Sequence, residues 1–369
     1  MINNSVLKND ERAIFSLRSL YEKYGFRPFK MSKFEEYDLY VGNKEFLVSD
    51  RVITFNDTDG RLLALKPDVT LSIIKHTSDE VGVKEKVYYN ENVYRVSGST
   101  GQFKEIMQMG LESIGDIDVT DIYEVVYLAL SSLAEISPDF VLDISHMGIL
   151  SAFLSEASDS ELFKKEVIAL ISNKNAHEIP ALAKKYGVSE GAASKLVTLA
   201  GLWGDMRSVI DKLSPLCESV RSAKALSELK VLSYLLSKCE YSEKVRFDFS
   251  VVHNMSYYDG IVFSGFLSGI CEAVLSGGEY GKLLARLGRK SRAVGFALYL
   301  DLLEGLRTSD IRYDADVLLI YDDSVSMAEV IEKKNSLIKE GLSVSAQRSV
   351  PKKMRFGKTV DIRLGKEQG

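Results

Sequence analysis

Three stretches of the chain carry groups suited to holding a small polar molecule. They are Asp68 with Thr70 in LLALKPDVT, Gln108 with Glu112 in FKEIMQMGLESIG, and the pair Tyr257 and Tyr258 ahead of Gly260 in NMSYYDGIVF. Carboxylates in a cleft hold a cationic amine, while tyrosine hydroxyls and an amide direct a small polar side chain. Such groups suit an amino acid. A fourth stretch, SGGEYGKLLARLGRKSRAVGFALYLDLL at 276–303, has the glycines and the basic loop Arg286, Arg289, Lys290 and Arg292 of a frame around a small ligand. Yet no positive charge occurs from Phe296 to Gly305. Other chemistries find little support. His76, His146, His177 and His253 are dispersed, Cys217, Cys239 and Cys271 show no CxxC spacing, and neither a metal site nor a disulfide framework is expected. There is no G-x-S-x-G, P-loop or dinucleotide-binding glycine pattern, and SGGEYG shows no clear strand-to-helix phosphate fingerprint.

These groups need elements to position them. Ala13, Ile14, Leu17, Leu20, Tyr21 and Tyr24 recur at helical spacing, predicting an amphipathic helix over 10–24 that stops at Gly25. Two β-rich runs around the turn at Asp57–Gly60 predict a hairpin, and LSIIKH after Pro67 a helix. A second hairpin joins KVYYNENVYRV to FKEIMQMGLESIG through SGST; alternation puts Gln108, Gly110 and Glu112 on one face, with Gln108 and Glu112 about 13 Å apart. Polar groups flanking a bare glycine read either as the floor of a cleft or as a solvated strand face. A helix over about 120–136, a strand FVLDIS, and a helical stretch over 148–245 follow. Strand signals return at 246–265, so one β-rich domain, 1–147 with 246–308, is expected to be interrupted by a helical insertion. Residues 309–369 read as a small α/β appendage, and Trp203, within the insertion, as a core residue.

At 369 residues the chain buries a large core without staples. A net charge of −5 argues against a dedicated nucleic-acid binder, and no run approaches the roughly 20 apolar residues of a membrane span. Widely spaced cysteines and a polar N-terminus fit a cytoplasmic protein.

Five blocks in order, LLALKPDVT, VYRVSGSTGQFKEIMQMGLESIG, NMSYYDGIVF, LSGGEYGKL and AVGFAL, resemble those of the histidyl-tRNA synthetases, and more closely those of their paralogues, the regulatory subunits of ATP phosphoribosyltransferase. The resemblance runs from about residue 8 to 305. It implies an α+β, class II aminoacyl-tRNA synthetase-like fold: an antiparallel sheet flanked by helices, dimeric, with a helical insertion. It also implies a histidine pocket at the positions of Asp68, Thr70, Gln108, Glu112, Tyr257 and Tyr258.

Departures from the synthetase pattern bear on activity. Arg95 stands where an arginine meets the ATP α-phosphate, but Ser97 replaces the glutamate that meets adenine. Leu302 falls where an arginine clamps the phosphates, Tyr299 where a glycine precedes it, and His253 where an arginine assists the carboxylate. Losing one such donor typically slows a reaction by about 10²–10³, so adenylate formation is not expected. Ser32 replaces a usual proline in the first motif, and the C-terminal appendage is about half an anticodon-binding domain, leaving little basis for transfer RNA recognition. The resemblance therefore implies a non-catalytic regulatory subunit that joins a short-form catalytic ATP phosphoribosyltransferase in a hetero-oligomer, itself as a homodimer, and mediates histidine feedback in the first step of histidine biosynthesis without a cofactor of its own. The alternatives are a divergent histidyl-tRNA synthetase or other amino-acid-activating enzyme, and a free-standing histidine-binding module.

Overall fold

In the computed structural model, which describes residues 7, 9–43, 47, 52–80, 82–96, 100–305 and 313–363, contacts divide the chain into units spanning 1–306 and 307–369. The first opens with helix α1 (Asn9–Lys23), which buries Ala13, Leu17 and Tyr21 as the spacing predicts. Strands β1 (Arg27–Pro28) and β2 (Phe34–Glu36), helix α2 (Tyr37–Val41), strands β3 (Thr54–Asn56) and β4 (Leu62–Leu65) and helix α3 (Thr70–His76) follow. The β3–β4 turn is organised by Asp57, whose Oδ1 accepts from the N–H groups of Asp59 (2.9 Å) and Arg61 (2.8 Å). Side-chain acceptance of this kind is why aspartate marks turns.

The long hairpin is β5 (Lys84–Val96) and β6 (Phe103–Gly115). Then come α4 (Val119–Ile136), β7 (Phe140–His146), α5 (Met147–Ala157), α6 (Glu161–Ser172), α7 (Ile179–Lys185), α8 (Glu190–Ala200), β8 (Trp203–Gly204), α9 (Met206–Leu213) and α10 (Val220–Leu236). The unit closes with β9 (Val245–Asp248), β10 (Ile261–Leu267), β11 (Leu275–Glu279), α11 (Gly281–Arg286) and β12 (Arg292–Tyr299). Helix α4 starts at a capping box: Asp118 accepts from Thr120 and Asp121 N–H groups while Asp121 accepts from Asp118 N–H.

Nine strands form one sheet, ordered β1-β5-β6-β12-β11-β10-β7-β9-β8, antiparallel except for β1–β5 and β7–β9. The helical stretch 148–245 lies within the same unit and shares its largest apolar core, which gathers Ile144, Leu150, Val167, Leu196 and Leu229. The sheet separates two cores by strand alternation. Met109 and Leu111 of β6, Tyr88 of β5, and Val294, Phe296 and Leu298 of β12 pack toward the helices, whereas Val87, Tyr89, Ile114 and Ala293 face a smaller core with α3 and α11. The candidate site lies on the second face.

One expectation changes. Trp203 is not a core residue: it sits on the short edge strand β8 and is 65% exposed. Its pairing with Asp248 on β9 sets the position, a long-range contact that local spacing does not report. The basic loop is anchored to the end of α3. Arg289 donates from Nη1 to Thr77 Oγ1 (3.0 Å) and from Nη2 to Thr77 O (2.5 Å), closing the C-terminus of α3, and Asp79 accepts from the N–H groups of Lys290 and Ser291. A guanidinium there suits the negative end of a helix.

The second unit holds β13 (Ala315–Ile320), α12 (Met327–Lys339), β14 (Val344–Gln347) and β15 (Phe356–Asp361), with β13 parallel to and between the other two strands. It is a small α/β unit. No helix among the described residues is long and apolar enough to cross a membrane.

Gly110 leaves the hairpin no room for a side chain. A Cβ there would lie 2.2 Å from Phe296 O and 2.5 Å from the Tyr89 hydroxyl. Overpacking of this kind costs about 1–3 kcal/mol; Gly110→Ala is expected to lower the unfolding free energy by that amount, seen as a lower denaturant midpoint with an unchanged m-value.

Candidate functional site

On the α3 and α11 side of the sheet is a cavity of about 360 Å³. Asp68, Thr70, Gln108, Glu112, Tyr257 and Tyr258 all line it, drawn from segments up to 190 residues apart. Register assembles its floor. Glu112 pairs with Gly295, Gly110 with Ala297, and Gln108 with Tyr299, so alternate residues of β6 and β12 form side-by-side rows facing the cavity. Tyr89 lies opposite Gly110 on the other neighbour, β5. Gly110 is therefore no bare floor: it is a buried seat for the Tyr89 ring.

Glu112 is the centre of the polar network and is 3% exposed. Tyr280 donates its hydroxyl to Oε2 at 2.6 Å and Thr70 donates to Oε1 at 2.9 Å. The carboxyl group also needs Gly295, where a Cβ would come within 1.8 Å of Oε2. Burial pushes Glu112 up to about 8, against the two donated hydrogen bonds and with help from the nearby Asp68 charge. Desolvation outweighs hydrogen bonding here. At neutral pH the group is mostly protonated and has a proton to share with a ligand nitrogen.

Asp68 is also raised, chiefly by burial, with the Leu71 N–H and the Arg95 guanidinium opposing. Its Oδ1 accepts from Leu71 N at 2.9 Å and so fixes the first turn of α3, which brings Thr70 to Glu112. Arg95 donates from Nε to Pro67 O at 3.0 Å. Tyr299 stands on the wall and is hydrogen-bonded to Arg95. Leu302 does not line the cavity; it packs partly buried against the larger core. Ser97 lies outside the described residues.

The aromatic wall is wider than the tyrosine pair. The centroid of Tyr257 is 4.6 Å from that of Tyr258 and 5.1 Å from that of Tyr280, and His253 meets Tyr258 edge-on at 5.1 Å. The N–H groups of Tyr257 and Tyr258 both donate to Asn254 O at 2.9 Å, which turns the two rings inward. Burial depresses His253 to about 4, so its imidazole is neutral where the synthetase pattern has a cation; its Nε2 lies 3.2 Å from Ser264 Oγ. Sequence reasoning gave Tyr280 and Tyr89 no role. Period-two alternation from Ser276 was the available signal for Tyr280, because Ser276 also lines the cavity. SGGEYG does pass from β11 into α11, but what it presents to the cavity is the Tyr280 ring.

Among the described lining residues Arg95 alone carries a permanent positive charge, against the carboxyl groups of Asp68 and Glu112. With Glu112 protonated the wall is close to neutral, which suits a zwitterion. No group of three or more His, Cys, Asp or Glu able to hold a metal occurs among the described residues.

The Glu112 shift has a testable sign. In the unfolded chain the group titrates near 4.5, and in the folded one near 8, so between these values the folded state holds more protons. Stability is then greatest below the lower value and falls as pH rises toward 8. Melting temperatures of the wild type are expected to drop across that window more than those of Glu112→Gln. Parallel curves for the two proteins would contradict the shift.

Comparison with known proteins gives this chain a family. A relative from Clostridium kluyveri named ATP phosphoribosyltransferase regulatory subunit is 28% identical over 338 residues, 88% of this chain and 86% of that protein. A solved structure from Bacillus halodurans, described as an ATP phosphoribosyltransferase regulatory subunit/histidyl-tRNA synthetase, superposes with a TM-score of 0.76 at 24% identity over 96% of this chain and 94% of the other. A chain of the ATP phosphoribosyl transferase complex from Thermotoga maritima superposes with a TM-score of 0.62 at 22% identity, covering 78% of this chain and 96% of that one. The fold is thus the class II, histidyl-tRNA synthetase-like one. The histidyl-tRNA synthetase family model matches residues 4–303, the whole span from α1 through β12 that builds the cavity, and this chain belongs to that family.

Proposed function

We propose that this protein is a non-catalytic regulatory subunit of ATP phosphoribosyltransferase. It joins a short-form catalytic subunit in a hetero-oligomer, within which it is a homodimer, and conveys histidine feedback on the first step of histidine biosynthesis. The relatives' names support the partner, and the cavity supports the effector. The observation that carries the reading is the charge inventory of the wall: two carboxyl groups, one guanidinium and a neutral His253.

A triphosphate needs several preorganised cations or metal ions to offset its charge. Among the described residues this wall offers Arg95 alone, and Tyr299 is hydrogen-bonded to it. An amino acid needs much less. Its ammonium group suits Asp68 and Gln108, its carboxylate Arg95, and an imidazole suits the Glu112 and Tyr257 side of the cavity. The same inventory argues against histidine activation by this chain, because no second cation among the described lining residues meets the leaving phosphates.

Feedback then requires histidine to favour one state of the complex over the other, with couplings of about 1–3 kcal/mol being usual. Histidine titrated into the complex with the catalytic subunit is expected to bind at least about tenfold more weakly to Glu112→Ala than to the wild type, because charge-assisted or buried hydrogen bonds contribute about 1.5–3 kcal/mol. Tyr257→Phe is expected to weaken binding less, in the same direction. Unchanged affinity and unchanged inhibition in both variants would contradict the pocket.

A further inference from the structure

The other face of the sheet carries a second cleft, of about 460 Å³, where β7 runs into α5. Alternation along the β11 segment explains how one stretch serves both faces: Tyr280 turns to the amino-acid cavity, and Glu279 turns the opposite way into the second cleft. Glu279 and His146 form its inner wall, each 1% exposed. Arg221 and Lys224 of α10, Lys282 of α11 and Arg292 of β12 surround it.

The polar groups fall into those already used and those left open. His146 Nδ1 accepts from Gly148 N–H at 3.1 Å, which leaves Nε2 to donate to Glu228 at 3.2 Å. Lys282 donates to Met255 O at 3.0 Å, and Asp259 Oδ1 accepts from Gly281 N–H at 2.9 Å. Glu279 Oε1 is paired with Arg292. Its Oε2 is buried without a hydrogen-bond partner among the described residues, and it occupies the space a Cβ of Gly260 would need, at 2.1 Å. A buried carboxylate oxygen without a donor is costly and calls for an explanation.

Arg221 and Lys224 are exposed on the first turns of α10, and of the two Lys224 also feels the Glu228 carboxylate one turn on. Cations at a helix N-terminus oppose the helix dipole, and an anion between them offsets that cost. The cleft thus combines two exposed cations outside with an unsatisfied acceptor inside.

We propose that it binds a small phosphorylated polyol, whose phosphate is held by Arg221 and Lys224 and one of whose hydroxyls donates to Glu279 Oε2. A dianionic phosphate matches a pair of cations, and a hydroxyl supplies the donor that Glu279 lacks. The site lies one residue along the chain from Tyr280, so its occupancy bears on the Glu112 network.

The test is calorimetric titration of the full chain with glucose 6-phosphate, inorganic phosphate and glucose. Glucose 6-phosphate is expected to bind, and Arg221→Ala with Lys224→Ala to weaken it at least about tenfold. Glu279→Gln is expected to weaken glucose 6-phosphate and leave inorganic phosphate unchanged; glucose alone is expected not to bind. Because the double variant changes only exposed side chains, it decides the question even if Glu279→Gln fails to fold. Absence of glucose 6-phosphate binding, indifference to the double variant, or inorganic phosphate binding equally tightly would overturn the proposal.

Discussion

A carboxyl group held out of water sets the terms for the rest of this structure. Glu112 is nearly inaccessible, and a charged carboxylate in such a place is strongly disfavoured unless donors and countercharges meet it. The fold supplies two hydroxyl donors, from α3 and from the end of β11, and clears space with a glycine on the neighbouring strand. It does not supply a cation close enough to hold the charge, so the group stays mostly protonated. Each of these features depends on the register of β6 against β12, because a shift of one residue would turn Glu112 toward the helices.

The surrounding charges follow from the same constraint. Asp68 stabilises the start of α3 and, through that helix, the position of Thr70, so one carboxylate orients the donor that serves the other. Arg95 is tied to Pro67 O, close to Asp68 in the chain, and its charge opposes the rise of the Asp68 pKa. Burial keeps His253 neutral. The wall therefore balances near zero net charge, a condition that a zwitterion meets and a triphosphate does not.

Much of this was legible in the sequence. The alternation of Gln108, Gly110 and Glu112 gave the right face, the Asp57 turn gave the first hairpin, and five ordered blocks gave the fold. What was not legible depended on pairing between distant strands. Tyr89 over Gly110 follows from the β5–β6 register, and the exposure of Trp203 from its place on an edge strand. Arg289 closing α3 joins residues 212 apart, which no local pattern encodes. Leu302 was placed by counting along a motif, and the turn after β12 carries it away from the cavity into the core.

The central claim is that this chain senses and relays while a partner performs the chemistry. Reconstitution tests it most directly: a short-form catalytic ATP phosphoribosyltransferase is assayed for phosphoribosyl transfer with and without the purified chain, and with added histidine. Transfer that rises on adding the chain and is suppressed by histidine only when the chain is present is the predicted result. Transfer and inhibition indifferent to the chain, together with histidine-dependent ATP–pyrophosphate exchange by the chain alone, would contradict it.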